Sequence, residues 1–584
     1  MPQRDDVPGL TAPLAPSPAL ARRSPAADVA VGVALVVVGV VVPAVLAGAF
    51  HVFSIPRNDD WAYRRDLWGF VHTGHLSFVG WGAMSLVGQV LWGAMFALLF
   101  GTHAWVPGVA VAVLATAGVL SAYAVARSML SRGGAAACVL VLFALPGFVL
   151  NTSSFMTDVP AFSAGAVCLA LALAALRRAG PARWGFLAAL VAVGCFGFAV
   201  REFDIAAPLA AIAALALQDR RHRAAYALAA AGLLMACAAT YLWAAHVPGS
   251  EHLQLTLSGP VRFVKGIGLS YFTLSLGLAP LLPAAVRRWQ PRLSVPDLLP
   301  PAGALTGGVL LLTTNHLLFS GNYLMQQGAT GAAVLTGRPV LFPGPVWWAL
   351  QGLALAAGTT LAVVAGVAAR RPPPSGPRSY PRVLLALFAL LTALFLCSYQ
   401  GLVKGTVFDR YLWPLAFALA VLLVARPAPL PAGRHARGSW AQAAGSSPAR
   451  LGPALRSTSA VLAGVAVAVA VVTTLNADAY DAARWSAGTK AVASGLPAVM
   501  VDAGFEWVGS HQAGVAVPGR QVPGTPFYDT WYDQMFPAFR ECAFVSGNEV
   551  PVPSLGRLAT VTYQEFGWAG PQRLYVYVVH QPGC

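Results

Sequence analysis

Two carboxylates stand side by side in Pro56-Arg57-Asn58-Asp59-Asp60-Trp61-Ala62-Tyr63, about ten residues past the first long apolar run. A carboxylate within hydrogen-bond reach of a hydroxyl can take its proton. Asp59 or Asp60 could equally cap a helix running from Trp61. A second acidic site, Phe155-Met156-Thr157-Asp158-Val159-Pro160, opens another apolar run. Asp158 there also reads as a helix N-cap with proline in the first turn. Cations stand at comparable places: Arg201 in Arg201-Glu202-Phe203-Asp204, then Arg338, Lys404 and Arg410 in Asp409-Arg410-Tyr411. Arg201 and Glu202 could simply pair at a tight turn. Alternatively, such cations can hold the charge that develops on a phosphate leaving group. A site of this kind needs one or two carboxylates and one or two cations on one surface.

The elements that must position these groups are membrane helices. The chain has 584 residues, 57% hydrophobic and only 10% charged, with mean hydropathy +0.65. Soluble domains carry about 25% charged residues. Apolar runs near the ~20 residues that cross a bilayer recur about thirteen times. They lie near 28–50, 106–126, 134–150, 159–176, 184–200, 203–218, 224–246, 269–286, 298–319, 345–369, 383–399, 411–425 and 457–475. The expected architecture is a polytopic α-helical membrane protein in the plasma membrane. Residues 1–27 read as a disordered cytoplasmic tail, 28–425 as the main transmembrane module and 426–456 as a cytoplasmic linker. Residues 457–475 are the last span, and 476–584 form an exported α/β domain. Within that domain a helix over about 477–494 precedes strand-length runs at 498–501, 542–545, 558–563 and 574–579.

Orientation follows from the cations. The net charge of +16 is spread in short clusters between apolar runs, which argues against a nucleic-acid partner and for the positive-inside rule. With the N-terminus cytoplasmic, 23 of the 38 Lys and Arg fall in inner segments, nine in outer loops and six in the tail. The apolar stretch 82–100 would invert this pattern if it crossed. It is therefore read as interfacial or re-entrant helix within a long first outer loop, 51–105, where Trp81 and Trp92 suit an interface. All the acidic and basic sites above then share the outer face. Cys542 and Cys584 are the only cysteines of the exported tail and are disulfide candidates. His72 and His75 have helical spacing in the first loop and could ligate a divalent metal or be plain interfacial histidines.

These motifs resemble those of the GT-C glycosyltransferases, family 39 type, which include protein O-mannosyltransferases and lipid A aminoarabinose transferases. Four places carry the resemblance: Asn58-Asp59-Asp60-Trp61-Ala62-Tyr63, the long first loop ending in Phe100-Gly101, Met156-Thr157-Asp158-Val159-Pro160, and Asp409-Arg410-Tyr411-Leu412-Trp413-Pro414. It covers 28–425 and leaves the tail outside. The family's first acidic pair is more often Asp-Glu. The resemblance implies inverting transfer of a sugar from a polyprenyl-phosphate donor to an extracytoplasmic glycan, lipid or protein. Asp59 or Asp60 would be the base, Asp158 a supporting acid, and Arg201, Arg338, Lys404 and Arg410 candidates for the donor phosphate. Some relatives bind a divalent metal. Two rival readings are a transporter or flippase of lipid-linked sugars and a non-catalytic envelope scaffold. The transporter reading predicts ionisable groups inside the spans, whereas here they cluster at the ends.

Overall fold

The first apolar run forms one helix, Pro25–Ala49, in the computed structural model. The Ser24 hydroxyl caps it by accepting from the Ala27 N–H. A π turn over Val37–Val41 precedes Pro43, which has no N–H to donate. The structure describes residues 24–584 apart from 83, 146, 179, 251–254, 290–294, 331–334, 336, 371–378, 404, 426–450, 513–531, 533–534, 537, 551–554 and 581–583. Most of the expected tail and linker therefore lie outside the described residues.

Among the described residues, nine helices are long and apolar enough to cross a membrane. They are Pro25–Ala49, Val106–Arg127, Asp158–Leu176, Pro181–Val200, Arg220–Ala244, Pro260–Trp289, Gly344–Ala369, Tyr380–Leu402 and Leu455–Ala493. The other four expected spans are shorter helices: Arg132–Ala144, Ala206–Gln218, Leu299–Asn315 and Trp413–Val424, of 13, 13, 17 and 12 residues. At 1.5 Å per residue the last is ~18 Å long, against a hydrocarbon core of ~30 Å. The difference has a local cause. Three of these runs keep their apolar residues but lose α-helical geometry at one end. Glu202–Ile205 and Asp409–Leu412 are 3-10 turns leading into Ala206 and Trp413. Arg132–Ala144 stops at Leu145, whose backbone is extended as expected for the residue before a proline, Pro146. The first two of these breaks hold the polar motifs with Glu202 and Asp204 and with Asp409 and Arg410.

Asp158–Leu176 runs through the middle of the bundle, packed against Val106–Arg127 and Pro181–Val200. Close approach rests on small residues, as is usual in membranes. A methyl on Gly118 would overlap Ser163, and one on Gly197 would overlap the Asp204 carboxyl. Val87–Phe100, in the stretch expected to be interfacial, is a 14-residue helix of ~21 Å whose Leu98 and Leu99 are exposed.

Beyond residue 450 the chain forms a 43-residue helix, Leu451–Ala493. The span expected at 457–475 and the helix expected at about 477–494 are one continuous element. No proline follows Pro453 before residue 497, so nothing interrupts it. Its far end lays Ala483, Ala487 and Ala491 on a four-stranded sheet. The strands are β1 (Val501–Asp502), β2 (Ala543–Ser546), β3 (Leu555–Glu565) and β4 (Gly570–Val579), in the order β1-β2-β4-β3. β1 and β2 are parallel, and the other pairs antiparallel. Cys542 and Cys584 are joined by a disulfide that ties the chain end to the start of β2.

Candidate active site at the acidic pair

Asp60 opens the helix Asp60–Thr73 and is fully buried, with 0% exposure. Its Oδ1 accepts from Arg64 Nε at 2.7 Å. Its Oδ2 accepts from Arg64 Nη2 at 3.0 Å, Ser154 Oγ at 2.9 Å and the Phe155 N–H at 3.1 Å. Arg64 also donates through Nη1 to the carbonyls of Ser54 and Ala104. The forked pair is therefore closed and ties three chain segments together.

Asp59 is differently placed. It makes no capping bond to its helix. Its Oδ1 accepts from the Trp81 indole N–H at 2.9 Å and its Oδ2 from Arg410 Nη2 at 3.2 Å. Its side chain keeps 13% exposure. Asp158 opens the helix Asp158–Leu176, whose N-cap is Thr157, and no side chain caps it. Its Oδ1 accepts from Arg201 Nη1 at 2.8 Å, and its Oδ2 lies 3.7 Å from Arg410 Nε. One guanidinium thus stands between Asp59 and Asp158. The two carboxylates come from motifs about 100 residues apart in the chain.

The two arginines are held in place. Arg201 donates to Thr157 Oγ1 at 2.9 Å and lies over the Tyr411 ring, 4.3 Å from its centroid. It does not pair with Glu202, whose Oε1 accepts from the Ser85 N–H at 2.6 Å. Arg410 donates to Asn322 Oδ1 at 3.3 Å and to the Tyr411 hydroxyl at 3.4 Å. Burial opposes charge on both guanidiniums. The facing Asp158 outweighs it at Arg201, and Tyr411, Asp158 and Asp59 do so at Arg410. Asp409 fixes the backbone beneath. Its Oδ2 accepts the Tyr323 and Leu324 N–H groups at 2.9 and 2.7 Å, and its Oδ1 the Arg410 N–H at 2.8 Å. Burial pushes that carboxyl up to about 7, against the pull of these N–H groups. Burial also pushes the Tyr63 phenol well above its ordinary range, with Asp59 adding to it. The arrangement can accept a proton at Asp59 and can present two planar, permanently charged forks to a phosphate.

Other candidates fall elsewhere. Lys404 lies outside the described residues. Arg338 is not part of the constellation: it donates to the Ala329 carbonyl at 2.5 Å and lies over the Tyr480 ring at 4.1 Å. His72 Nδ1 is 2.6 Å from the Trp68 carbonyl, and His75 is exposed. Among the described residues no group of three or more His, Cys, Asp or Glu could hold a metal ion. Two participants were not foreseen. Trp81 turns its indole N–H to Asp59 rather than to an interface. Asn322 sits in a Ser320-Gly321-Asn322 turn with φ of +74° at Gly321 and +114° at Asn322. Such a turn is too common in loops to signal a site.

No protein-family model and no curated protein matches this chain. Among the solved structures similar to it are two of one protein. One is ArnT from Cupriavidus metallidurans bound to undecaprenyl phosphate, 15% identical, with TM-score 0.38 over 95% of this chain and 98% of that one. The other is ArnT from Cupriavidus metallidurans in the apo state, 15% identical, with TM-score 0.39 over 94% and 97%. A likeness of that degree leaves the chemistry to the residues described above.

Proposed function

We propose that the chain is an integral-membrane glycosyltransferase. It would move a sugar from a polyprenyl-phosphate donor to a hydroxyl on the extracytoplasmic face, with inversion. The observation that carries this reading is the single guanidinium of Arg410 between Asp59 and Asp158, with Arg201 alongside. The acceptor oxygen attacks the anomeric carbon from the side opposite the phosphate. The bond from that carbon to the phosphate oxygen breaks, and its electron pair leaves on the polyprenyl phosphate. The acceptor proton passes to Asp59. Arg410 and Arg201 hold the phosphate charge, and Asp158 keeps both arginines aimed. Asp59 is preferred to Asp60 because Asp60 already accepts four hydrogen bonds. A small apolar cavity lined by Leu274, Leu350, Trp413, Leu462 and Val469 has Asp409 in its wall. The ArnT structure with undecaprenyl phosphate names the same kind of lipid.

The test is transfer in membranes supplied with undecaprenyl-phosphate-linked hexoses and pentoses, read as released undecaprenyl phosphate. Asp59→Asn is expected to lose about 10²–10⁴-fold, the usual contribution of a general base. Asp158→Asn should also lose transfer while still inserting. Full activity in both variants would overturn the assignment. Lipid translocation without transfer in the unmutated protein would favour a flippase.

A further inference from the structure

The C-terminal domain lies against the loop that carries Asp59. Glu506 Oε1 accepts the backbone N–H of Asn58 at 2.9 Å. Asn58 immediately precedes Asp59 and has φ of +53°, a left-handed conformation that asparagine tolerates better than most residues. Its side chain reaches Asn322 Oδ1 at 3.5 Å, the same oxygen that accepts from Arg410. Behind Glu506, the fully buried Arg484 is 2.8 Å from Oε2 and donates to Asp481 at 3.1 Å. Asp481 in turn accepts from Arg57 Nε at 3.1 Å, and Arg57 also pairs with Asp478. The two residues before Asp59 are thus both gripped by one buried charge network from the C-terminal domain.

The residues around Asp59 are gripped as well. Phe505 meets Trp61 edge-on at 5.6 Å and Trp81 at 5.7 Å, and Trp81 is the indole that donates to Asp59. Gly509 packs so closely on the Trp61 ring that a methyl there would overlap it. Arg65 donates to the Gly509 and Gln512 carbonyls at 3.0 and 2.6 Å. Nothing in the mechanism above uses Glu506, Phe505 or Gly509.

We infer that the C-terminal domain is part of the active site, with Glu506 a positioning residue that fixes Asp59 through the Asn58 N–H. This rests on Asp59 being the base. A shift of about 1 Å in a reacting group can cost on the order of 100-fold in rate, and one backbone N–H sets the turn on which Asp59 stands.

The experiment measures kcat and donor KM for the full chain in membranes, with the same undecaprenyl-phosphate sugars. Glu506→Ala, which removes the acceptor, should lower kcat about 10–100-fold with donor KM changed less than about threefold. Glu506→Gln keeps an oxygen for the Asn58 N–H and should recover to within about tenfold of the unmutated protein. A purely structural role predicts instead that Glu506→Gln and Glu506→Ala lose folded protein in parallel and that kcat per folded molecule stays constant. Should Glu506→Ala fail to insert, Gly509→Ala carries the test. It displaces the Trp61 contact while leaving Glu506 and its partners unchanged in sequence, and should show the same fall in kcat. An unchanged kcat per folded molecule in these variants overturns the inference. Asp59→Asn, run in parallel, separates the two failures: if it stays active the catalytic reading falls, and if it alone is inactive only the positioning role falls.

Discussion

Asp59 and Asp60 are neighbours with different fates, and helix geometry explains why. Successive residues on a helix are ~100° apart, so only one can face Arg410. Asp60 instead meets Arg64, one turn on, a spacing visible in the sequence. Asp60→Asn is expected to destabilise the protein by about 3–5 kcal/mol, because it leaves a buried arginine unpaired. Loss of folded protein on a size-exclusion thermal melt would show it. Any residual folded Asp60→Asn should retain more transfer per molecule than Asp59→Asn. Asp66, further along the same helix, makes a pH prediction. Burial pushes its carboxyl from the ordinary 3.8 up to about 8, only partly offset by the Val79 N–H and Arg65. Between those values the folded state holds a proton that the unfolded state has released. Its contribution to stability therefore falls as pH rises from about 4 to about 8 and is level above that. Asp66→Asn should raise the melting temperature at pH 8 and leave it unchanged at pH 4. Equal midpoints at pH 8 would refute this. Which of two adjacent carboxylates is buried is decided by segments about 95 and 350 residues away, Phe155 and Arg410, so residue type and local spacing do not reveal it.

At the scale of elements, the apolar runs were legible and their internal breaks were not. Hydropathy counts side chains, whereas the helix ends at Glu202–Ile205 and Asp409–Leu412 are set by backbone hydrogen bonding around the site. Irregular backbone at membrane depth is tolerated where protein surrounds it, as it does for Asp409 and Arg410. The helix Pro181–Val200 gives a matched test of close packing. Gly197 meets the Asp204 carboxyl and the Ala164 methyl, while nothing lies within 4 Å of a methyl added to Gly185. Gly197→Ala should cost about 1–3 kcal/mol through overpacking. Gly185→Ala should be neutral or stabilise by about 0.5–1 kcal/mol, since alanine loses less entropy in a helix. The two melting temperatures should move in opposite directions or differ clearly. Equal shifts would mean that the helices do not meet at Gly197.

For the whole molecule, the contacts across the site constrain how the chain crosses the membrane. Groups that touch on one face must be separated by an even number of crossings. Among the described residues between Asp59 and Asp158, only Val106–Arg127 is long enough to span by the usual criterion. One crossing would put the two acids on opposite faces, yet both reach Arg410. Either Arg132–Ala144 or Val87–Phe100 must then supply the second crossing, and keeping Arg127 and Arg132 on the inner side selects Arg132–Ala144, despite its 13 residues. The same holds at the other end of the chain. Arg410 and Asp478 both contact the acidic loop, through Asp59 and Arg57. Leu455–Ala493 is one crossing between them, so Trp413–Val424 must be another. Short helices can complete these crossings if the site is sunk below the outer surface, so that water and polar side chains fill the remaining depth. A crossing by Val87–Phe100 in addition to these would make the count odd and separate Asp59 from Asp158. With the cation clusters inside, this predicts where reporters will work. Alkaline phosphatase fused after Asn151 or after Cys584 should be active, and fused after Arg127 or Arg223 it should be inactive. An inactive fusion after Asn151 would mean that Arg132–Ala144 does not cross. Asp59 and Asp158 could then not share Arg410, and the proposed site would fall with the topology.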